Sequence, residues 1–416
     1  MINLTIHRGT HEIGGSCIEL RTDSVKILID FGLPLDFDKR SEAEQTQILQ
    51  TAAEWAEGAD AVFLSHSHAD HYGLFQQLPA GTKVYATEET FEMLALDGIF
   101  GKNPMEHLEQ CPLRCYKTYD IFGMQVRAYP VDHSAYGACA YMFETEDKRL
   151  LYSGDIRLHG VKGALMRDLP REVDYMILEG TNVSRAAHCP SERDIEQQFA
   201  EVFLGDPSAL YMIWCTARNI DRICRLFRAC LRCGRTLVID PYTANVLSVV
   251  AKMSPSVPTV NSTDRIKVFF PHEITARLDA ADRTRYIFPL QPSRNKVRHS
   301  DISAAPERYV MLVRPSLVSF LQKITAPDIK LIKSVWCGYW EERQSVRFRK
   351  WAENHTTILP DIHTSGHADT ESLRKIVEHV RPRTLIPVHT DSPERFAELF
   401  PDCNVVLAED GKSIEL

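Results

Sequence analysis

The sequence predicts an α/β protein: a sheet domain whose strand tips gather acids and histidines, interrupted by a second α/β unit. Three observations predict it. First, three short apolar runs each deliver a carboxylate at their C-terminal end: Val25-Lys26-Ile27-Leu28-Ile29-Asp30, Leu150-Leu151-Tyr152-Ser153-Gly154-Asp155 and Tyr175-Met176-Ile177-Leu178-Glu179. Runs of this kind read as buried strands, so the acids would line one edge of a sheet. Second, residues 190–355 change to strand–helix–strand, the signature of a parallel α/β unit. Third, the tail from about residue 358 returns to strand, helix, strand, as if the first domain resumed after an insertion.

The elements follow in chain order. Ala61-Val62-Phe63-Leu64 is a short apolar strand, and the segment Val126 to Val131 ends apolar before Asp132-His133. Ser191-Glu192-Arg193-Asp194 reads as a helix start, with Ser191 as cap and acids in the first turn. Ala209 to Trp214 is a strand, and Ile220 to Cys233 has helical spacing with Ile223, Leu226, Phe227 and Cys230 on one face. Thr236 to Asp240 is again a strand. In the tail, Thr370 to Arg381 reads as a helix, and Thr384-Leu385-Ile386-Pro387-Val388-His389 as a strand ending in a histidine.

Composition narrows the class. At 416 residues, two domains are the natural prior. No apolar run reaches the roughly 18 residues a membrane span needs, and Met1-Ile2-Asn3-Leu4-Thr5-Ile6 lacks the features of a signal peptide. The eleven cysteines are scattered, which points to reduced thiols and a cytoplasmic location. Cys230-x-x-Cys233 has no second pair nearby and reads as thiols of a helix face. A net charge of −8 excludes a whole-molecule basic field but not a local basic groove.

The chemistry concentrates in His66-x-His68-x-Asp70-His71, four metal-binding side chains within six residues. Imidazole and carboxylate suit zinc and related divalent ions. On a loop leaving a strand tip, His66 and His68 would face one ion while Asp70 and His71 turn toward a second. A binuclear site needs more ligands, and His133, Asp155 and His389 all stand at strand ends. A shared carboxylate such as Asp155 would hold two ions roughly 3.5–4 Å apart, a spacing that suits hydrolysis by a bridging hydroxide. Asp30 reads as the carboxylate that orients a ligand histidine.

These residues, in this order, resemble the metallo-β-lactamase superfamily. Residues 11–18 and Ile29-Asp30-Phe31-Gly32 look like the N-terminal region of its RNA-processing members. Glu179 in Ile177-Leu178-Glu179-Gly180-Thr181, His367 in His363-Thr364-Ser365-Gly366-His367-Ala368 and His389 in Pro387-Val388-His389-Thr390 resemble motifs A, B and C of the β-CASP nucleases. The likeness is greatest to RNase J and the cleavage-and-polyadenylation endonuclease group. It implies an αββα sandwich over residues 1–188 and 358–416, with a β-CASP domain inserted at 189–357.

The resemblance also implies roles. His66, His68 and His133 would hold one zinc; Asp70, His71 and His389 the other; Asp155 would serve both. Manganese is the alternative ion. His367 would contact the scissile phosphate and protonate the leaving oxygen, and Glu179 would orient it, so that Asp70, His367 and Glu179 form the catalytic set. Arg218, Asn219 and Arg222 look like the segment facing the RNA backbone. Ser365 and the amides of Gly366, His367 and Ala368, at a helix start, would cradle a phosphate. DNA-repair members of the Artemis type usually carry an apolar residue at motif C, whereas RNA-acting members carry histidine, so His389 favours RNA. The sequence thus points to a two-zinc ribonuclease, free of membrane and compatible with a homo-oligomer. The alternatives are a single-stranded DNA nuclease, a lactonase or thioesterase on the same scaffold, and a non-catalytic binding member.

Overall fold

The computed structural model describes residues 2–101, 104–185, 188–287, 290 and 294–416. The chain divides into two compact units: Met1–Asp97, Asn103–Cys189 and Gly366–Leu416 form the first, Gly98–Lys102 and Pro190–Ser365 the second.

The first unit carries two seven-stranded sheets. In one, Ser413–Glu415, Asn3–Arg8, Cys17–Arg21 and Lys26–Phe31 pair antiparallel. Ala61–Phe63, Lys83–Thr87 and Glu109–Leu113 then continue in parallel. In the other, Thr118–Ile121, Met124–Pro130, Cys139–Glu144 and Arg149–Tyr152 run antiparallel. Tyr175–Glu179, Thr384–Val388 and Asn404–Val405 complete it in parallel.

Side-chain alternation explains the layering. Along Lys26–Phe31, Ile27 and Ile29 join an apolar cluster with Val126, Tyr141, Tyr152, Ile177 and Ile386 of the other sheet. Leu28 and Phe31 point oppositely, into a cluster with Ile48, Ala52 and Ala56 of the helix Glu42–Ala56. The second sheet likewise turns Met176, Leu178 and Leu385 toward Leu373, Ile376 and Val380 of the helix Thr370–Val380. A period of two with both faces apolar requires cover on both sides, and the result is helix, sheet, sheet, helix. The expected αββα arrangement is therefore present.

The second unit holds a six-stranded sheet in the order Ile266–Val268, Thr236–Ile239, Tyr309–Val313, Leu210–Trp214, Ile329–Lys333 and Thr357–Ile358. All its pairings are parallel. The helix Glu192–Gly205 starts with a capping box between Ser191 and Asp194, as the sequence indicates. Ile220–Arg232 is the amphipathic helix, with Ile223, Leu226 and Cys230 buried. The return to the first unit comes at Gly366, later than residue 358, because Thr357–Ile358 still pairs with Ile329–Lys333.

No helix among the described residues is long and apolar enough to cross a membrane.

Candidate metal centre

The strand Ala61–Phe63 ends just before the histidine motif, and the backbone at His68 is still extended. Extended chain sends alternate side chains to one face, so the rings of His66 and His68 lie together, centroids 4.8 Å apart. The motif does not remain a loop. Ala69–Tyr72 winds into one helical turn, which brings His71 in on another side of His66, ring centroids 4.0 Å apart. Backbone bonds strap this turn to the N-terminal strands: Ser16 N donates to Asp70 O at 3.0 Å and Leu33 N to Ala69 O at 3.0 Å. The approach is so close that a Cβ at Gly32 would lie 1.6 Å from Asp70 O, so only glycine fits there.

Two donor sets result. His66, His68, His133 and Asp155 each offer one ligand atom within 4.8 Å of the others, and so do Asp70, His71, Asp155 and His389. Asp155 belongs to both. Its Oδ2 lies 3.6 Å from His66 Nε2, 3.2 Å from His71 Nε2 and 3.8 Å from His133 Nε2, and its Oδ1 lies 3.9 Å from His389 Nε2.

The nitrogens that do not face these sets are mostly held by the protein. His71 Nδ1 donates to Asp30 Oδ2 at 2.7 Å, and His133 Nδ1 donates to the Gly366 carbonyl at 2.6 Å. His66 Nδ1 lies 3.0 Å from Ser65 Oγ, and His389 Nδ1 lies 2.8 Å from Thr181 Oγ1. Such partners fix tautomer and ring orientation in metal sites. Asp30 also accepts from Ser65 N, Ser65 Oγ and Tyr152 OH. Both Asp30 and His389 hold left-handed backbone, φ 56° and 51°, a conformation that costs of order 1–3 kcal/mol and recurs at functional sites.

The donor sets fit divalent ions. His66 Nε2, His71 Nε2 and both carboxylate oxygens of Asp155 are buried with no hydrogen-bond partner among the described residues. Orphaned polar atoms are rare in protein interiors, and here they converge. Burial and the neighbouring imidazoles hold His66 and His133 well below the usual histidine range, so both rest as neutral ligands. Around His71, burial favours the neutral ring, but Asp155, Asp30 and Asp70 prevail and raise it. Burial likewise opposes charge on Asp70 and Asp155, yet the surrounding histidines keep both carboxyls ionised well below the carboxylate range. The site thus gathers two carboxylates and the imidazoles of His66 and His133, donor types that divalent ions such as zinc bind.

Beside this centre stands His367. Its Nδ1 is 3.5 Å from Glu179 Oε2, 3.7 Å from Asp155 Oδ2 and 3.1 Å from Thr181 Oγ1. Burial disfavours its charge, but Asp155 and Glu179 outweigh that and raise it to about 9. Glu179 is itself fixed, accepting from Thr181 N at 2.9 Å and Ala368 N at 3.1 Å.

The structure engages three proposed substrate contacts, Arg222, Asn219 and the Ala368 amide, within the protein itself. Arg222 is fully buried, its guanidinium taken up by Glu192 through two bonds, Ser334 and the Thr364 carbonyl. It cannot present a cation to a polyanion. The Asn219 side chain caps the helix Ile220–Arg232 by accepting from Arg222 N. The Ala368 amide is consumed by Ile156 O and Glu179, and the Gly366 carbonyl orients His133. The helix itself starts later, at Thr370, capped by Asp369. Arg218 and Ser365 are half-buried residues of the second unit. Thr181, Ser65 and Tyr152 were missed. Thr181 lies two residues beyond Glu179, and Tyr152 ends the strand before Asp155, so their places in the chain were the available signal.

Comparison with known proteins agrees with this geometry. Residues 26–199 match the family model of the beta-lactamase superfamily domain, and residues 359–402 that of the Zn-dependent metallo-hydrolase RNA specificity domain. A Ribonuclease J of Sinorhizobium meliloti is 24% identical over 355 residues, covering 82% of this chain and 59% of the relative. A Ribonuclease J of Helicobacter pylori is 21% identical, covering 100% of this chain and 60% of the relative. The DNA cross-link repair protein pso2/snm1 of Schizosaccharomyces pombe is 29% identical over 153 residues, 35% of this chain and 26% of that protein. The chain thus spans well under two thirds of the length of these curated relatives. A crystal structure of a protein of unknown function from Enterococcus faecalis V583 shares the fold, with TM-score 0.78 and 22% identity over 100% of both chains. By these two domain matches and its relatives, the chain is metallo-β-lactamase-like and resembles the RNase J group of β-CASP nucleases.

Proposed function

We propose that this chain is a metal-dependent ribonuclease that hydrolyses RNA phosphodiester bonds at a centre holding two zinc ions. The observation that carries the reading is the pairing of two donor sets sharing Asp155 with a histidine, His367, held cationic beside them. His66, His68 and His133 would hold one ion, and Asp70, His71 and His389 the other, with Asp155 between. Bound there, the ions would supply Lewis acidity and a water of lowered pKa.

The chain's own groups do the rest. His367 places a positive charge where a phosphate would add negative charge, and its proton passes to the leaving oxygen as the P–O bond breaks. Glu179 keeps that ring charged and aimed, being locked by two backbone amides. Asp70, ionised despite burial, is the carboxylate placed to accept a proton from the attacking water. RNA rather than DNA is the substrate we favour, because residues 359–402 match an RNA specificity domain and motif C keeps His389. The eleven cysteines are free thiols, which suits a reducing, cytoplasmic compartment.

The test is direct. Zinc-loaded protein is incubated with 5′-labelled and 3′-labelled RNA and DNA oligomers, and with a lactone and a thioester. The expected result is RNA cleavage faster than turnover of any other substrate. Rapid lactone or thioester turnover without RNA cleavage would replace the nuclease reading with that of a small-molecule hydrolase. Preferential cutting of single-stranded DNA would reassign the substrate.

A further inference from the structure

A third group of metal-binding side chains lies in the first unit, apart from the seven ligands above. His159, Cys189 and Asp369 each offer one ligand atom within 4.8 Å of the others. We propose that they form a separate mononuclear site, with His188 as fourth donor, that takes one zinc ion.

Three features support a built site. The first is its chemistry: imidazole, thiolate and carboxylate are all zinc ligands, and together they make a set that soft and borderline ions prefer over magnesium or calcium. No ligand of the binuclear centre is a sulfur.

The second is the scaffold. His159 and Asp369 are buried. The loop that carries His159 is wrapped around Asp132: Arg157 Nε donates to Asp132 Oδ1 at 2.8 Å and Lys162 N to Oδ2 at 2.7 Å. Gly160 lies so close that a Cβ would come within 2.2 Å of the same carboxylate. Asp369 is pinned as the cap of the helix Thr370–Val380, its Oδ1 accepting from Ser372 N at 2.9 Å.

The third is convergence on the other oxygen. Asp369 Oδ2 accepts from Cys189 N at 3.1 Å and lies 2.9 Å from His188 Nδ1. His188 is an exposed ring that can turn, and its Nδ1 already stands beside the Asp369 oxygen that would bind the ion. An ion there would tie together three segments far apart in sequence. One of them is the stretch that runs from His367 into the helix.

Cobalt titration into the metal-free full-length protein tests this. Thiolate-to-cobalt charge transfer in the near ultraviolet reports a sulfur ligand, so it reports this site and not the binuclear centre. Visible ligand-field bands follow cobalt in either. The expected result is a thiolate band saturating at one equivalent. It should be lost in Cys189→Ser and weakened in His159→Asn, while ligand-field bands from the binuclear centre persist. Zinc analysis should find one fewer ion per chain in Cys189→Ser than in the parent. Absence of the thiolate band in the parent protein overturns the site, whatever the binuclear centre does. A band unchanged in Cys189→Ser overturns it as well, by assigning the sulfur to another cysteine. Failure of the ribonuclease reading would show in the oligomer assay and leave this band untouched.

Discussion

His71 and Asp30 share a 2.7 Å hydrogen bond between side chains that are both fully buried. Asp30 touches no face of the donor sets itself; it holds one of their rings by the far nitrogen. Asp30→Ala should lower zinc affinity by about 10–100-fold, the usual effect of removing such a partner. It also strands the Ser65 and Tyr152 hydroxyls, which now donate to it. Competition with a chelator of known affinity measures the effect, and unchanged affinity would show that His71 needs no such support.

Asp155 and His68 should separate by metal count. Asp155 belongs to both donor sets and His68 to one. Asp155→Ala is expected to reduce bound zinc at both positions, His68→Ala at one. Elemental analysis of protein dialysed against equal free zinc distinguishes them, and equal losses would show that the carboxylate is not shared.

His367→Asn should keep its metal and lose RNA cleavage by about 10²–10⁴-fold, the range for removing a general acid. The reason is position: His367 packs against His133 and His389 rings at 5.2 and 5.4 Å and pairs with Glu179. Single-turnover rates beside zinc content provide the check. Cleavage at the parent rate would remove His367 from the chemistry.

Arg222 and Arg218 should part company. Arg222→Met leaves the buried Glu192 carboxylate without its partner, and breaking a buried pair costs about 3–5 kcal/mol. The second unit should melt early. Arg218→Ala should raise KM for RNA and reduce the salt slope by roughly 0.7 if it meets one phosphate of a single strand. Thermal melts and KM at several salt concentrations decide both.

Acid stability should depend on Glu19, which lies on the strand Cys17–Arg21 among His7, Arg21 and Lys26. Burial would raise its carboxyl, but hydrogen bonds from His7 and Arg21 and the charge of Lys26 bring it down to about 2 from 4.5. A depressed carboxyl stabilises the fold above its unfolded value, and that contribution fades as pH falls from 4.5 toward 2. Glu19→Gln should therefore lower the melting temperature at neutral pH and narrow its gap to the parent in acid. A gap that stays constant with pH would contradict the ion cluster.

That the residues of the two donor sets come together was legible because strand-tip chemistry is local: each apolar run ends beside the residue it delivers. The layers came with the family resemblance; that both faces of Lys26–Phe31 are covered is seen only in the fold. What stayed hidden depends on partners distant in the chain. Nothing near Arg222 in sequence announces Glu192, thirty residues earlier, or Ser334, 112 residues later. An arginine beside a helix start looks like a phosphate contact until its counter-ion is seen. Gly366 also reads as part of an anion cradle, and only the fold reveals that its carbonyl faces a histidine 233 residues away. Thr181 escaped because a hydroxyl carries no charge pattern, although it reaches both His367 and His389.

The 319 residues between Asp70 and His389 also set a clock. A ribosome adding roughly 5–20 residues per second releases Asp70 about 15–65 s before His389. During that interval the nascent chain carries the histidine motif, but the strand Thr384–Val388 has not yet paired with Tyr175–Glu179. His389, which follows that strand, is missing with it. The donor set of Asp70, His71, Asp155 and His389 therefore stays incomplete on a growing chain until that strand has been made.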